Sequence, residues 1–387
     1  MFTFLRHWQD YRRFRRLPRD DRRIVFLSES GQDWHHFAPV VAHLTGELGE
    51  TVQYASFDPR DPGLHQGSPR IQPFCLGPGA VRIWFCQFLD ADVLVTQILD
   101  FGNLELKRSV NPVHYVYMFH SLISTHMSDR ANSFDQYDTI LCAGPHQARE
   151  IRRREELHGL RPKQLVPHGY GRLEDLLSRR REPPPVDADA GLHVLVAPSW
   201  GPRTILPVCG APLVATLLDA GLRVTLRPHY QTRWQTPQVI DAIVAAHRDN
   251  PRFRLVEQMG ESDSLYDSHV MITDWSGAGQ DYGLGLEKPV LYIDVPPKAR
   301  NDTWPELGLE PFEMFVRDRI GAIVAPERLA DVPGRIRQLV ADPDAFRRHV
   351  ADIRREWVYN LGRSGPAGAE AIARIAREAG EARRGRG

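Results

Sequence analysis

The sequence predicts an α/β protein made of two doubly wound parallel-sheet domains that face each other across a cleft. The chain has 387 residues, of which 42% are hydrophobic, and this exceeds what one α/β layer usually needs. Short, continuously apolar runs alternate with segments of helical spacing, which is typical of parallel strands covered on both faces. The alternation stops at a proline-rich segment and then starts again, so two domains are expected.

The first domain is predicted over residues 23–178. Its apolar runs are RIVFLSES, TVQYASF, DVLVTQ, VHYVYMF, DTILCAG and KQLVPHG. Between them, HFAPVVAHLTGEL and PHQAREIRRREEL have helical spacing. Strands and helices therefore alternate as in a doubly wound sheet.

Residues 179–191 form the predicted linker, because three consecutive prolines and a run of charges disfavour regular structure. Within it, Asp187 and Asp189 mimic the metal-binding DxD of some sugar transferases. A proline-rich linker is a poor place for a rigid metal site, so we interpret this match as chance.

The second domain is predicted over residues 192–355. Its apolar runs are LHVLVAPSW, LRVTLRPH, RFRLVEQ, HVMITDW, PVLYIDV and GAIVAP. A C-terminal helix and basic tail follow over residues 356–387, with a break in helical spacing at Gly362–Pro366.

The amino-acid composition indicates which kind of binding partner and which cellular compartment to expect. Lys plus Arg and Asp plus Glu balance at 49 each, so no global field attracts a nucleic acid, and a small-molecule partner is expected. The four cysteines form no CxxC pair, which argues against a zinc site or a disulfide framework and fits a reducing cytoplasm. No run approaches the roughly 18 apolar residues of a membrane span, and the start lacks the apolar core of a signal peptide.

The predicted arm over residues 1–22 leaves two alternatives open. The first 23 residues hold eight arginines and three aspartates, interleaved with Phe2, Phe4, Trp8, Tyr11 and Phe14. Basic and aromatic residues together indicate an anionic membrane surface, which would make the protein peripheral at the inner face of the plasma membrane. The equally weighted alternative is a solvated arm whose aromatic residues pack on the domain.

Polar residues that follow apolar runs are the candidate site residues, because ligands of open parallel sheets lie beyond the carboxyl ends of the strands. In the first half these residues are His120, His168, Gly169, Tyr170 and Arg172. A single strand-end histidine is more often hydrogen-bonded to the backbone than catalytic. His126 follows His120 by six positions, so one helix face cannot present both, which argues against a metal pair.

The second half has a larger set of strand-end candidates, namely Ser199, Trp200, Arg227, His229, Asp274, Ser276, Gly277, Gly279 and Asp281. Arg227 and His229 alternate along an extended segment and point to opposite faces unless Pro228 turns the chain.

The stretch MITDWSGAGQDYGLGLEKPVLYI leaves a predicted strand at Asp274 and enters a helix through Ser276–Gly279. The first turn of a helix has free N–H groups, and glycines let a phosphate approach them closely. Arg227 and His229 would add charge-assisted donors, so a diphosphate fits this junction. Neither a Walker loop nor an early GxGxxG is present, which disfavours nucleotide triphosphatases and dehydrogenases. The alternative is a tight strand-to-helix turn without a ligand.

From His120 to the C-terminal helix, the sequence resembles the CDP-glycerol glycerophosphotransferase family. This family includes the teichoic-acid polymerases and related capsule polymerases. Its motifs are His-Gly-Thr-Pro, Gly-Tyr-Pro-Arg, Ala-Pro-Thr-Trp, Arg-Pro-His, Asp-Tyr-Ser-Ser followed by Asp, and Lys-Pro. In the same order this chain has His120-Ser121-Leu122, Gly169-Tyr170-Gly171-Arg172, Ala197-Pro198-Ser199-Trp200, Arg227-Pro228-His229, Asp274-Trp275-Ser276-Gly277 with Asp281, and Lys288-Pro289.

The resemblance implies a GT-B fold of two Rossmann domains and a transferase. It would move a glycerophosphate, another polyol phosphate or a sugar from a nucleotide-activated donor to a surface polymer or a lipid-linked acceptor. His120 would be the general base, His229 would be the second catalytic residue and contact the donor phosphates, and Ser276 with the following N–H groups would hold the diphosphate. The other residues predicted to bind the donor are Gly169, Arg172, Ser199, Trp200, Arg227, Asp274, Gly277, Gly279 and Asp281. We expect no metal and no cofactor.

Three departures from the family leave the donor and the acceptor open. Ser121–Thr125 stands where the family has Gly-Thr-Pro-Leu-Lys, Gly171 replaces a proline, and Gly277 replaces the second serine. Three alternatives therefore stay open: a GT-B glycosyltransferase that uses a nucleotide sugar, a nucleotide-sugar epimerase, and a non-catalytic nucleotide-binding scaffold.

Overall fold

The computed structural model describes residues 2–102, 105–182, 191–256 and 263–385. The chain divides into two compact units. The first unit comprises Met1–Arg172, Arg300–Leu309 and Trp357–Gly387, and the second comprises Leu173–Ala299 and Glu310–Glu356. Most of the predicted linker, including Asp187 and Asp189, lies outside the described residues.

The described part of the first unit holds a seven-stranded sheet whose strands are all parallel. The strands are β1 (Ile24–Ser28), β2 (Val52–Ser56), β3 (Ile71–Cys75), β4 (Val93–Thr96), β5 (His114–Met118), β6 (Thr139–Cys142) and β7 (Gln164–Pro167). The helices are α1 (Phe2–Arg16), α2 (Trp34–Gly46), α3 (Ala80–Phe88), α4 (Pro145–His158) and, from the chain's C-terminal end, Ser364–Arg384, numbered α14. The strand order is β3-β2-β1-β4-β5-β6-β7.

The six apolar runs predicted for the first half all form strands. Strand β3 escapes the apolar pattern because Pro73 stands at its centre. Proline has no N–H to donate and is tolerated at a sheet edge, which is where β3 lies.

The described part of the second unit holds a six-stranded parallel sheet in the order β10-β9-β8-β11-β12-β13. Its strands are β8 (His193–Val196), β9 (Arg223–Leu226), β10 (Phe253–Leu255), β11 (Val270–Thr273), β12 (Val290–Ile293) and β13 (Gly321–Val324). Its helices are α5 (Gly171–Ser178, whose first two residues belong to the first unit), α6 (Ala211–Asp219), α7 (Tyr230–Gln235), α8 (Pro237–His247), α9 (Asp263–Asp267), α10 (Gly277–Gln280), α11 (Phe312–Arg317), α12 (Val332–Leu339) and α13 (Pro343–Trp357). All six predicted runs form strands.

Both sheets reverse their strand order beside their first strand. The reversal lies between β1 and β4 in the first unit and between β8 and β11 in the second. This is the doubly wound topology that the sequence predicts, and ligands of such sheets bind beyond the carboxyl ends of the strands at the reversal.

The predicted domain boundaries differ from the compact units in three places. Leu176 of α5 contacts Gly285, so this helix packs with the second unit. Residues 300–309 return to the first unit, where the Arg300 N–H donates to Met127 O at 2.9 Å. The C-terminal helix α14 also belongs to the first unit, because it packs along α2.

Helix α14 completes the core of the first unit through small residues. Its alanines and isoleucines are buried against the aliphatic side chains of α2, and the residues involved are Ala369, Ile372, Ala373, Ile375 and Ala376 with Val40, Val41 and Leu44. A Cβ at Gly368 would lie 2.7 Å from the ring of His168. The close approach of α14 to His168 therefore depends on glycine at this position.

Helix α1 is part of the first unit rather than a free arm. Phe14 is 1% exposed, and its ring lies 5.4 Å from Phe74 and 4.9 Å from Phe85, centroid to centroid. Tyr11 is also buried, whereas Phe4 is exposed. The alternative in which the aromatic residues of the arm pack on the domain therefore applies to Tyr11 and Phe14.

No helix in the described part of the chain has the length and apolar character that crossing a bilayer requires.

The contact between α14 and His168 generates a prediction for stability against pH. Burial lowers the pKa of His168 to about 4, against 6.5 in the unfolded chain. Between these two values the unfolded chain binds a proton that the folded chain does not, so stability falls as the pH is lowered through this window. One such histidine costs about 1 kcal/mol at pH 5.5 relative to pH 7.5.

We expect His168→Gln to show a smaller drop in melting temperature between pH 7.5 and pH 5.5 than the wild-type protein, as measured by scanning calorimetry. Any loss of stability that His168→Gln causes equally at both pH values cancels when the two drops in melting temperature are compared. An equal drop in both proteins would show that His168 is not neutral in the folded state.

Candidate functional site

Three separate segments of the first unit meet around His120, which lies two residues beyond the carboxyl end of β5. The ring of His36, in the first turn of α2, is 5.5 Å from the ring of His120. On its other side His36 stacks on Tyr170 at 6.3 Å, with 15° between the ring planes. Arg172 lies close enough to His36 to lower its pKa. Of the strand-end candidates in this half, the structure brings together His120, Tyr170 and Arg172.

His36 is a candidate site residue that was not predicted from the sequence. Apolar periodicity assigns it to a helix but does not show which strand end its side chain approaches. The available signal was its place in the first turn of the helix after β1, beside the reversal of strand order.

Both histidines are uncharged at neutral pH. Burial lowers the pKa of His120 to about 4. Burial, with further contributions from His120 and Arg172, lowers the pKa of His36 to about 3. Nδ1 of His120 is buried and has no hydrogen-bond partner within the described residues. A neutral imidazole with an unused nitrogen can accept a proton or a hydrogen bond from a hydroxyl group.

The other two candidates at the end of β7 have packing roles. His168 lies against α14, as described above. Gly169 adopts φ +106°, and a Cβ there would lie 2.5 Å from Tyr359 O. Because this close backbone approach requires glycine, the conformation of Gly169 is explained without a ligand.

In the second unit, the junction behind Asp274 is the strand-to-helix crossing that the sequence predicts. Ser276 caps α10, and its Oγ accepts from the Ala278 N–H at 3.3 Å. The helix continues directly into a π-helical turn at Asp281–Gly285. A Cβ at Gly279 would lie 2.8 Å from the Tyr292 hydroxyl, so this glycine lets α10 pack on β12.

Asp274 holds a neighbouring loop in place. It is 1% exposed, and its two carboxylate oxygens accept from the N–H groups of Ser199 at 2.8 Å and Ile205 at 3.2 Å. This arrangement fixes Ser199 beside the junction. The Ser199 hydroxyl is buried and makes no hydrogen bond to any residue that the structure describes.

His229 presents a hydrogen-bond donor at the end of β9. Its Nδ1 caps α7 by accepting from the Gln231 N–H at 3.1 Å, so the proton of the neutral ring is on Nε2. Pro228 lies between β9 and this cap, where the chain turns from strand to helix. Burial and the nearby ammonium group of Lys298 lower the pKa of His229 to about 4.

Lys298 and Trp200 lie next to His229. The Lys298 Nζ is 4.1 Å from the centroid of the Trp200 ring, and the Trp200 and His229 rings are 6.1 Å apart. The sequence analysis missed Lys298, which follows β12 by five residues in a segment without apolar pattern. The edge thus combines a cation, an imidazole N–H and a hydroxyl group.

Arg227 and Asp281 complete the predicted set in this half. Arg227 follows β9 directly, and its N–H donates to Val196 O at 2.8 Å. Asp281 is the first residue of the π-helical turn. Both side chains are half-buried.

No protein-family model matches the chain, and no curated protein matches it. Solved structures do match. One is the wall teichoic acid polymerase TagF soaked with CDPG, with a TM-score of 0.57 and 13% identity over 97% of this chain and 95% of that chain. A second is UDP-GlcNAc 2-epimerase from Neisseria meningitidis bound to UDP-GlcNAc, with a TM-score of 0.60 and 13% identity over 91% and 99% of the two chains.

A third is a glycosyltransferase from Rickettsia africae, with a TM-score of 0.56 and 11% identity over 91% and 98% of the two chains. At these identities the comparisons report on the fold. The two parallel sheets and these similarities show that the chain has the two-domain, Rossmann-like GT-B fold.

Proposed function

We propose that this protein is a transferase that moves a glycerophosphate, another polyol phosphate or a sugar from a nucleotide diphosphate donor to a hydroxyl group of a surface polymer or lipid-linked acceptor. The observation that carries the proposal is the difference between the two sheet edges. The first holds a neutral imidazole whose Nδ1 has no hydrogen-bond partner within the described residues, and the second holds a capped helix start, a cation and the N–H group of His229. These are the groups that deprotonating an acceptor and binding a diphosphate require.

The donor site is assigned to the second unit on electrostatic grounds. Lys298 and Arg227 supply positive charge, and His229 Nε2 supplies an N–H donor. The Ser199 hydroxyl makes no hydrogen bond within the part of the chain that the structure describes. Asp274, a buried carboxylate at this edge, accepts hydrogen bonds from loop N–H groups and therefore repels a phosphate less than a carboxylate without such donors. Ser276 and Gly277 present the start of α10, where the helix dipole favours an anion.

In the proposed reaction, His120 removes the proton as the acceptor oxygen forms its bond to the transferred phosphorus or anomeric carbon. The bond to the leaving nucleotide breaks, and its electron pair stays on the nucleotide phosphate. His229 Nε2–H and Lys298 stabilise this negative charge.

The segment after His120 bears on the acceptor. Thr125 stands where the resembled family has lysine, and both its N–H and its hydroxyl donate to Glu150 Oε2, at 2.6 and 2.8 Å. This position therefore serves the packing of α4 and brings no cation to the edge. We propose that the acceptor end bound here is uncharged.

Two of the similar structures suggest two candidate donors. TagF soaked with CDPG supports a CDP-alcohol, and the epimerase bound to UDP-GlcNAc supports a nucleotide sugar. A non-catalytic nucleotide-binding scaffold is the alternative that the altered segment after His120 favours. It predicts that His120 can be replaced without loss of any activity.

A membrane-facing role for α1 is a further part of the proposal. Its buried side carries Tyr11 and Phe14, whereas Phe4, Leu5, Arg12 and Arg16 are exposed. Apolar and basic side chains on one exposed helix surface fit an anionic bilayer, which would bring the enzyme to a lipid-linked acceptor. The proposal is therefore of a cytoplasmic protein that is peripheral at the inner face of the plasma membrane.

We expect His120→Ala to lower kcat by a factor of about 10²–10⁴ with little change in donor affinity, because only the base is removed. His229→Ala should weaken donor binding, because it removes the Nε2–H donor. Both are checked by steady-state kinetics with donor binding measured by calorimetry. His35→Ala, an exposed neighbour of His36, is the control.

Two results would contradict these assignments. Unchanged turnover in His120→Ala would favour the scaffold. An equal loss of donor affinity in His120→Ala and His229→Ala would show that the two histidines do not have separate roles.

For the membrane proposal, the variant Phe4→Ser, Leu5→Ser, Arg12→Glu, Arg16→Glu changes exposed side chains only. We expect the wild-type protein to sediment with phosphatidylglycerol vesicles, less so at high salt, and the variant to stay in solution. Arg348→Glu, Arg355→Glu, on exposed positions of α13, is the matched charge control. Equal sedimentation of all three proteins would remove the membrane role of α1.

A further inference from the structure

The first sheet contains a buried amide that the fold does not use. Gln97 is the first residue after β4 and is 6% exposed. Neither its amide oxygen nor its amide nitrogen has a hydrogen-bond partner among residues 2–102, 105–182, 191–256 and 263–385. Burying an unpaired amide costs roughly 1–3 kcal/mol, and such groups are rare in folded proteins. A residue that carries this cost is a candidate for binding a ligand.

The topology places Gln97 at the reversal of strand order. Strand β4 lies between β1 and β5, and Thr96 is paired with Leu27 on one side and Tyr117 on the other. Gln97 is therefore one step beyond these pairs, at the carboxyl edge from which His120 also extends.

The pleat of the two strands places Gln97 and His120 on one face. Val93 and Val95 of β4, and Val116 and Met118 of β5, belong to the core cluster that includes α2 and α14. Side chains two residues apart along an extended strand point to the same face of the sheet. Gln97 is two residues after Val95, and His120 is two residues after Met118, so both are assigned to this same face. Helix α2 carries His36, whose ring lies 5.5 Å from that of His120.

The two imidazoles at this corner of the edge are neutral, and one cation and one carboxylate lie near them. Burial keeps both imidazoles uncharged at pH 7, as their lowered pKa values show. Arg172 is the cation near His36, and Asp33, at the start of α2, accepts hydrogen bonds from Ser28 Oγ and the Glu29 N–H. An unpaired amide offers one acceptor and one donor side by side, which matches two adjacent hydroxyl groups.

We propose that Gln97 is the specificity-determining residue of the acceptor site and binds a neutral vicinal diol. Its amide oxygen accepts a hydrogen bond from one hydroxyl, and its amide nitrogen donates to the next. The inference rests on the proposed function, since the diol is the hydroxyl-bearing end of the acceptor. A site built to bond a hydroxyl rejects an analogue without it, because the buried amide is then left unpaired.

The first test is stability, which does not depend on any activity. Replacing a buried unpaired amide by an apolar group of similar size removes the desolvation cost, so Gln97→Leu should raise the melting temperature of the free protein by about 2–4 °C. The matched control is Gln53→Leu. Gln53 is fully buried in β2 and its Oε1 is also unpaired within the described residues, but its Nε2 donates to Asp21 O at 2.9 Å. Because Gln53→Leu leaves Asp21 O without this donor, the substitution should lower the melting temperature. A lowered melting temperature in Gln97→Leu would show a structural partner and overturn the proposal.

The second test is binding, measured by saturation-transfer NMR with 3-methoxy-1,2-propanediol and with 3-methoxy-1-propanol, which lacks one hydroxyl. The wild-type protein and Gln53→Leu should bind the diol about tenfold more tightly than the mono-alcohol, and Gln97→Leu should lose this difference. Methyl α-D-glucopyranoside is a saccharide with vicinal diols. Tighter binding of this glucoside than of 3-methoxy-1,2-propanediol indicates a sugar acceptor, and the reverse order indicates a polyol acceptor. Equal binding of diol and mono-alcohol by the wild-type protein would overturn the role of Gln97.

The affinity for nucleotides is measured on the same proteins. Unchanged nucleotide affinity in Gln97→Leu supports an acceptor role, and a matching loss of nucleotide affinity contradicts it. If the wild-type protein binds the diol but no nucleotide, the proposed transferase function fails while the diol site stands.

Discussion

The free-energy cost of removing a charged group from water is the constraint on which the arrangement of side chains at the carboxyl edges of both sheets depends. At the edge of the first sheet, His36 and His120 are withdrawn from water and stay neutral, as the lowering of their pKa values to about 3 and about 4 shows. A protonated imidazole there would need a carboxylate, and Asp33, at the start of α2, already accepts hydrogen bonds from Ser28 Oγ and the Glu29 N–H. The consequence is a pair of imidazoles that can accept a proton or a hydrogen bond and carry no charge of their own at neutral pH.

The second edge meets the same constraint in a different way. Its buried carboxylate, Asp274, is stabilised by loop N–H groups, and its cation Lys298 lies on the face of Trp200. His229 is oriented by the cap that its Nδ1 makes on α7, so its N–H proton is free for a ligand. The edge therefore presents donors and positive charge, which suits a nucleotide diphosphate. The difference between the two edges is the physical basis for assigning the acceptor to one and the donor to the other.

The sequence predicted the sheets well because parallel strands buried on both faces give continuous apolar runs, and only β3, interrupted by Pro73, escaped. Strand-end reasoning also predicted that His120, His229 and the Ser276 junction lie at sheet edges, where the structure has them, because residues after apolar runs must lie at a sheet edge. It missed His36, Lys298 and Gln97. The first two approach the site from a helix and a loop, whose direction no local pattern reveals. Gln97 follows a strand, but only a three-dimensional structure shows that its amide has no partner in the described part of the chain.

The central claim is that the edge behind Asp274 binds the paired phosphates of a nucleotide. Calorimetric titration with CDP, UDP and GDP, and with the matching monophosphates, tests it most directly in the wild-type protein and in Lys298→Met. We expect one diphosphate to bind at least about tenfold more tightly than its monophosphate, and Lys298→Met to remove most of that difference. Equal affinity for mono- and diphosphates, or no binding of any nucleotide, would contradict the account.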